Sequence, residues 1–484
     1  MVCFVLACAI PALGFTPSSS GDSADFPELA DFFAGIELLQ RREAGDKTVT
    51  FEPDTKWLKT CAGWIAQELC SSVFGAGLPE AVALEEDVGF VLHNFGNYWM
   101  DYTEKSVVGS CRVTNPQNQT YKSFWRQGLG CTLVERLTET EIRAQDVGDQ
   151  TPPPALDPNV PWPVGEGFFP DQAPPGVDLQ CLARVAAPQF IDPRLNTRAI
   201  VISFQGSLVF EQYGSGITKD NRLLGWSATK SITQSLIGIL VHDGLLNIYN
   251  PAKVEEWYET PGDPRQNITV DMMLRMSSGT RWVGDIFPTT ECIFWSDANC
   301  AHTSALKPLV EEPDTVWNYN SGSSYILSRV VLETRGDRQL SNFEWPKRRL
   351  FYPIGAHSMY IEYQPNTYFL GGSYGYATGR DWARFGLLHS RDGVWVDGTR
   401  LLPAGWAKYS STPSTSDTYG AHFWRSPSVD PDLFIASGFR NQNVFIFPRQ
   451  QIVVARLAMP NIPFLAAFDS NAFLTDILGC FTTE

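Results

Sequence analysis

Two β-hairpin patterns stand far apart in this chain, and together they restrict the folds open to it. AIVISFQGSLVFEQYG (Ala199 to Gly214) and NVFIFPRQQIVVARLA (Asn443 to Ala458) each set β-branched and aromatic runs on both sides of a turn, at Gln205-Gly206 and at Pro448 to Gln451. Helical patterns fill most of the space between them. The simplest architecture is α+β: one antiparallel sheet built from both ends of this region, with helices inserted between its strands and packed on it.

Upstream lies a different kind of sequence. With 484 residues and 43% apolar content, the chain can bury a large core and is expected to hold two structural units. From about Asp22 to Gln150 short helical and loop patterns alternate, with Leu38, Leu39, Trp57, Trp64 and Phe74 as candidate core and no repeat or chemical motif. TPPPALDPNVPWPVGEGFFPDQAPPG then breaks helix and strand alike and reads as an extended connector wrapping the surface. The expected division is a candidate signal peptide over 1–20, an N-terminal extension over 21–150, a proline-rich connector over 151–178 and the sheet-and-helix domain over 179–484.

Charge and cysteine content set the surroundings. A net charge of −16 repels polyanions, so nucleic acid is excluded as a partner. No apolar run reaches the roughly 18 residues of a membrane span, so no stable span is expected. Val2 to Phe15 is nearly uniformly apolar and ends near Ala12-Leu13-Gly14, which suits a signal peptidase, although a basic segment before it is missing. Removal of such a peptide would take Cys3 and Cys8 and leave eight cysteines, an even set that suits disulfides. Cys111 with Cys131 and Cys292 with Cys300 are the pairs expected. The sequons Asn118-Gln119-Thr120 and Asn267-Ile268-Thr269 fit the same secretory route. No CxxC and no ligand-spaced histidine cluster occurs, so neither a metal nor another cofactor is expected.

The chemistry is concentrated in GWSATKSITQSLIGILVHDGLLNI, Gly225 to Ile248. Ile232, Leu236, Ile239 and Leu240 form one apolar helical stripe, and Ser227 and Lys230 stand one turn apart at its head. That spacing lets a lysine amine take the serine proton, while the helix start offers backbone N–H groups to an oxyanion. The amine must be neutral to act so, which desolvation or a second cation favours. The competing reading makes Ser227 a helix cap and Lys230 a solvated first-turn residue. A second S-x-x-K, Ser304 to Lys307, runs into Pro308 and opens no amphipathic helix.

With the S-x-x-K stretch goes WNYNSGSSYILSRVVLE, in which Tyr319-Asn320-Ser321 precedes a helix start; the Tyr-x-Ser matches at Tyr121, Tyr213 and Tyr409 lack that context. In these elements the chain resembles the serine β-lactamase and penicillin-binding-protein superfamily, and especially its class C, esterase and nylon-oligomer hydrolase branch. ITVDMMLRMSSGTRW, GGSYGYATGRDWARFGLL and VDGTRLLPAGW agree with that branch in their order, and the resemblance runs from about Pro161 to Cys480. It implies a β-lactamase-like fold with a helical subdomain. It also implies Ser227 as acylated nucleophile, Lys230 as its base, Tyr319 as the group that protonates the leaving group and activates water, and Ser321 as a hydrogen-bonding neighbour of the lysine. The family's third element, a K-T-G or H-x-G type strand, is best matched by SGFRNQNVFIFP. There Phe439-Arg440-Asn441 stands for the triplet and the Gln442 N–H for an oxyanion donor; Asn441 replaces the usual glycine, and Arg440 either binds a substrate carboxylate or braces the strand.

The implied substrate is a small-molecule ester or amide, with Trp226, Trp282 and Trp317 as candidate pocket walls. The oligomeric state is left open. Thr378 and Asp381 are read as a capping box. Two rivals are weighed. Gly371-Gly372-Ser373-Tyr374-Gly375 fits the nucleophile elbow of α/β-hydrolases, with Ser373 as nucleophile, but lacks the strand before and the helix directly after. A non-catalytic relative that keeps the fold and binds a ligand is the other.

Overall fold

The computed structural model describes residues 55–89, 92, 96–111, 119–282, 292 and 299–482. The signal-like start, Leu38, Leu39, the Trp57 side chain and Asn118 lie outside the described residues. The longer helices are α1 Thr55–Cys70, α2 Leu179–Ile191, α3 Thr229–His242, α4 Ser321–Thr334, α5 Gly379–Ser390 and α6 Ser470–Leu478. The strands are β1 Gly96–Asp101, β2 Ser106–Cys111, β3 Gln119–Arg126, β4 Gly130–Leu133, β5 Thr197–Phe204, β6 Ser207–Tyr213, β7 Leu223–Leu224, β8 Tyr360–Ile361, β9 Gly375–Ala377, β10 Trp424–Arg425, β11 Phe434–Gly438, β12 Gln442–Phe447 and β13 Ile452–Ala458.

The two hairpins meet as the sequence patterns require. A six-stranded sheet runs in the order β10-β11-β12-β13-β5-β6, every pair antiparallel, with β13 against β5 joining the distant ends. Gln205 and Gly206 both take positive φ, +48° and +80°, as a two-residue turn needs to match strand twist. Side chains alternate across the sheet: Ala199 and Val201 enter the core shared with α3 and α5, whereas Ile200, Ile202 and Phe204 enter a second core with α2 and α6. The expectation of an α+β fold with one antiparallel sheet built from both ends therefore holds. A disulfide between Cys181 on α2 and Cys480 just beyond α6 ties the ends of this unit together. Among the described residues no helix is long and apolar enough to cross a membrane.

The extension folds as a four-stranded sheet, β1-β2-β3-β4, with α1 laid on it. Two disulfides, Cys61–Cys111 and Cys70–Cys131, bind α1 to β2 and β4. The expected Cys111–Cys131 pair is thus corrected. β3 separates the strands that carry these cysteines, and two strand spacings of about 4.8 Å exceed the Cα separation of less than about 7 Å that a disulfide spans. Cys292–Cys300 pairs as expected. A buried ionic clasp joins extension and main unit: Arg198 on β5 meets Glu86 at 2.7 Å and Asp87 at 3.1 Å. The proline-rich passage lies on α5, where Arg384 donates to the Pro163 and Gly165 carbonyls at 3.0 and 2.6 Å.

Candidate active site

α3 departs from its sequence pattern in an informative way. The apolar stripe predicts a helix with one wet face, yet every residue from Thr229 to Leu240 is buried. Apart from Lys230 its polar side chains are uncharged, and they find partners inside: Ser231 Oγ donates to the His422 carbonyl at 2.7 Å, Thr233 to the Gly371 carbonyl at 2.8 Å, and the Gln234 amide nitrogen to Ser410 Oγ at 2.7 Å. Satisfied in this way, polar groups become tolerable in a core. α3 is the central helix of the molecule, and its first turn opens the site.

Ser227 lies in a single 3₁₀ turn, Trp226–Ala228, that leads directly into α3. Lys230 Nζ is 2.9 Å from Ser227 Oγ and 2.9 Å from the Gly372 carbonyl oxygen, and it stands 4.9 Å from the centre of the Tyr319 ring. Lys230 is 1% exposed, so the solvated-lysine reading fails. Ser227 itself is half-buried. Its neighbour Trp226 has φ of +46°, a left-handed conformation that bulky residues adopt only where the surroundings enforce it. Three rings enclose the Trp226 indole: Tyr374 at 5.6 Å, Phe439 at 5.8 Å and Trp64 at 6.2 Å.

Tyr319 precedes α4, where Asn320 caps the helix by accepting from the Ser323 N–H at 3.1 Å. Ser321 is the first residue of α4 and is buried. The Tyr319 ring is half-buried in a cluster with Trp424 at 5.3 Å, Tyr419 at 5.9 Å and Trp317 at 6.2 Å. Trp282 is placed elsewhere, against Gly322 in the first turn of α4.

At the third element the structure brings the backbone of Gly438 to Ser227, while the Arg440 and Asn441 side chains turn to other carbonyls. Arg440 donates to the Pro460 and Met459 carbonyls at 2.8 and 3.0 Å, and Asn441 to the Leu465 carbonyl at 3.2 Å. Gln442 turns its amide to the Phe439, Arg440 and Ala458 carbonyls and pairs with Gly438 across the hairpin. Arg440 and Asn441 both have positive φ, +59° and +64°, so these residues shape a turn. What approaches Ser227 is Gly438: a β-carbon there would stand 2.0 Å from the Gly225 carbonyl oxygen and 2.9 Å from Ser227 N. The lone glycine of SGFRNQN was the available signal, since invasive backbone contact is one of the few reasons a strand end needs glycine.

The competing serines are placed apart from such chemistry. Ser373 is buried in a turn that continues into β9, with α5 not starting until Gly379, so no elbow forms. Its loop instead serves Lys230 through the Gly372 carbonyl. Ser304 is buried in the short helix Cys300–Ala305, whereas Lys307 lies beyond it and is exposed. The expected capping box is half formed: Thr378 accepts from the Asp381 N–H at 3.3 Å, but the Asp381 carboxylate turns to Ser358 and Arg384.

One residue that sequence reading missed joins the two site helices. His422 accepts from or donates to Ser324 Oγ of α4 at 2.9 Å, its carbonyl accepts from Ser231 of α3, and its Nδ1 contacts the Leu274 carbonyl at 2.8 Å. Burial pushes its imidazole down to about 3, against the Leu274 carbonyl and with a smaller push from Lys230. The unfolded imidazole takes its proton near pH 6.5. Stability is therefore full above that value and is lost as pH falls toward the folded pKa. The midpoint of thermal unfolding should drop between pH 7 and 4, and His422→Gln should flatten that drop, as a pH series of melts on the two proteins will show.

A sheet closed from both ends of the region, with buried Lys230 against half-buried Ser227 at the head of α3, points to a β-lactamase-like fold. The comparisons carry the assignment further. The description of the Beta-lactamase family matches residues 190–464, more than half of the chain, and the chain belongs to that family. Among solved structures it is similar to a Bacillus anthracis protein provisionally named a 6-aminohexanoate-dimer hydrolase, with TM-score 0.50 and 17% identity over 64% of this chain and 87% of that one. It is also similar to the octameric penicillin-binding protein homologue of Pyrococcus abyssi, with TM-score 0.50 and 17% identity over 62% and 78% of the two chains. A family VIII carboxylesterase follows at TM-score 0.48 and 16% identity, over 65% and 99%. No curated protein matches the chain.

Proposed function

We propose that the protein is a serine hydrolase that cleaves a small-molecule ester or amide through an acyl-enzyme. The observation that carries this reading is the 2.9 Å contact between Nζ of buried Lys230 and Oγ of half-buried Ser227 at the mouth of α3. Neutral Lys230 takes the Ser227 proton as Oγ attacks the substrate carbonyl. The oxyanion forms beside the Ser227 N–H and the strand end at Gly438–Phe439. Tyr319, in contact with Lys230, passes the proton to the leaving group, and the acyl-enzyme is then hydrolysed by water activated on the same pair. The Trp317–Tyr319–Tyr419–Trp424 cluster supplies an apolar wall for the acyl group. The name of the Bacillus anthracis relative supports an amide.

The same reading takes residues 179–484 as the hydrolase unit, 151–178 as a connector and the preceding segment as an extension. It places the protein in the secretory lumen or outside the cell, supported by four disulfides and by an exposed Asn267. The decisive test is labelling by a fluorophosphonate and by a penicillin-type probe, with mass spectrometry to locate the adduct. Ser227 should carry it. A label on Ser373, or none with either probe and no cleavage of short p-nitrophenyl esters, nitrocefin or linear amides, would sink the proposal.

A further inference from the structure

The extension lies outside the matched family region, yet its helix α1 reaches the back of the site by two separate routes. The first is polar. Glu68, 1% exposed, accepts the hydroxyl hydrogen of Tyr374, itself fully buried. Tyr374 ends the loop Gly371–Tyr374, and two residues before it the Gly372 carbonyl accepts from Lys230 at 2.9 Å. One turn N-terminal to Glu68 begins the second, apolar route, in which the Trp64 ring meets the Trp226 ring at 6.2 Å, beside Ser227.

We propose that α1 is a positioning element of the site: Glu68, through Tyr374, fixes the loop whose Gly372 carbonyl anchors Lys230, and Trp64 holds Trp226 in the left-handed conformation that presents Ser227. This rests on the catalytic reading above. The physical argument is that both anchors are buried and both target segments need support. A loop of three glycines in five residues has little side-chain packing of its own, and a tryptophan at positive φ relaxes unless its ring is held. Burial pushes the Glu68 carboxyl up to about 8, with Tyr374 opposing and Asp87 and Glu362 adding to the rise. A largely neutral acid can therefore hold the phenol without placing a negative charge behind the lysine. Glu362 reinforces the seam by accepting from Gln67 at 2.6 Å, Ser71 at 2.8 Å and the Cys131 N–H at 2.8 Å. α1 is held in turn by the two disulfides that flank Trp64, Gln67 and Glu68 in sequence, at Cys61 and Cys70.

The test is the rate of fluorophosphonate labelling at Ser227 in the full chain, measured across probe concentration so that the maximal rate separates from probe binding. Glu68→Ala and Tyr374→Phe should each lower the maximal rate by on the order of 10–100-fold, with half-saturation nearly unchanged. Glu68→Gln, which keeps an acceptor for the phenol, should restore it to within about threefold. Val107→Ala, which trims the core between α1 and its sheet but leaves Trp64, Glu68 and Tyr374 in place, should label at the wild-type rate. If Glu68→Ala fails to fold, Tyr374→Phe decides, since it removes a single hydroxyl. Wild-type labelling rates in folded Glu68→Ala or Tyr374→Phe, or equal slowing in Val107→Ala, would overturn the proposal while leaving the nucleophile assignment intact. Absence of label on Ser227 in wild type would overturn the catalytic reading and this inference with it.

Discussion

Folded Lys230→Arg protein is expected to turn over ester no faster than Ser227→Ala, at least about 10³-fold below wild type. Lysine can lose its proton in a buried setting and then accept one from Ser227 Oγ at 2.9 Å, whereas guanidinium stays protonated at any working pH. If Lys230 contributed only positive charge, arginine would serve. The substitution also removes an amine that divides itself between Ser227 Oγ and the Gly372 carbonyl and puts a wider, planar group in a site 1% exposed. Circular dichroism and a melting curve on each variant separate lost chemistry from lost fold. The decisive quantity is kcat. Near-normal turnover in a folded Lys230→Arg protein would leave the Ser–Lys contact without a catalytic part, and the remaining explanation of the spacing would be a packed helix start.

The contact of Lys230 with Ser227 and the place of Tyr319 beside it were legible because each residue sits at or just before a helix start, where local sequence fixes geometry: the 3₁₀ turn of Ser227 runs straight into α3 and sets Lys230 on it, and the capping Asn320 fixes where α4 begins after Tyr319. The sheet was legible for a similar reason, since alternation and turn residues act over a few positions. Other features depend on contacts between residues far apart in sequence. Nothing local in SGFRNQN shows that Gly438, rather than the triplet after it, meets Ser227, because that contact spans more than two hundred residues of chain. The Cys111–Cys131 expectation failed because nearness in sequence ignored the intervening β3, while both true partners lie on α1. Glu68 did leave a trace: an acid among Ile65, Ala66 and Leu69 implies a buried partner. The sequence cannot name Tyr374 as that partner.

Gly438→Ala is expected to lower kcat by about 10²–10³-fold, the range found when one oxyanion donor is lost. The argument is purely one of space. Gly438 is not among the positive-φ glycines, so alanine meets no backbone strain of its own. Its added methyl, however, would meet the Gly225 carbonyl oxygen at 2.0 Å and the backbone nitrogens of Ser227 and Ala228 at 2.9 and 3.1 Å. All three are main-chain atoms, so no rotamer change relieves the overlap, and either β11 or the 3₁₀ turn of Ser227 must retreat. β11 is held by β12 along five residue pairs from Phe434 to Gly438, and the turn is held by α3 and by the ring of Tyr374 against Trp226. The less supported partner is the end of β11, where the hairpin turns at Arg440 and Asn441. Movement there changes the separation of Ser227 N from the strand end, where the proposed oxyanion site lies. KM should change less than kcat, because that separation matters most to the charge that develops during attack. A small fall in melting temperature is expected alongside it. Turnover within about threefold of wild type in a folded Gly438→Ala protein would show that β11 does not build the oxyanion site, and the backbone donors would then have to be sought on the α3 side alone.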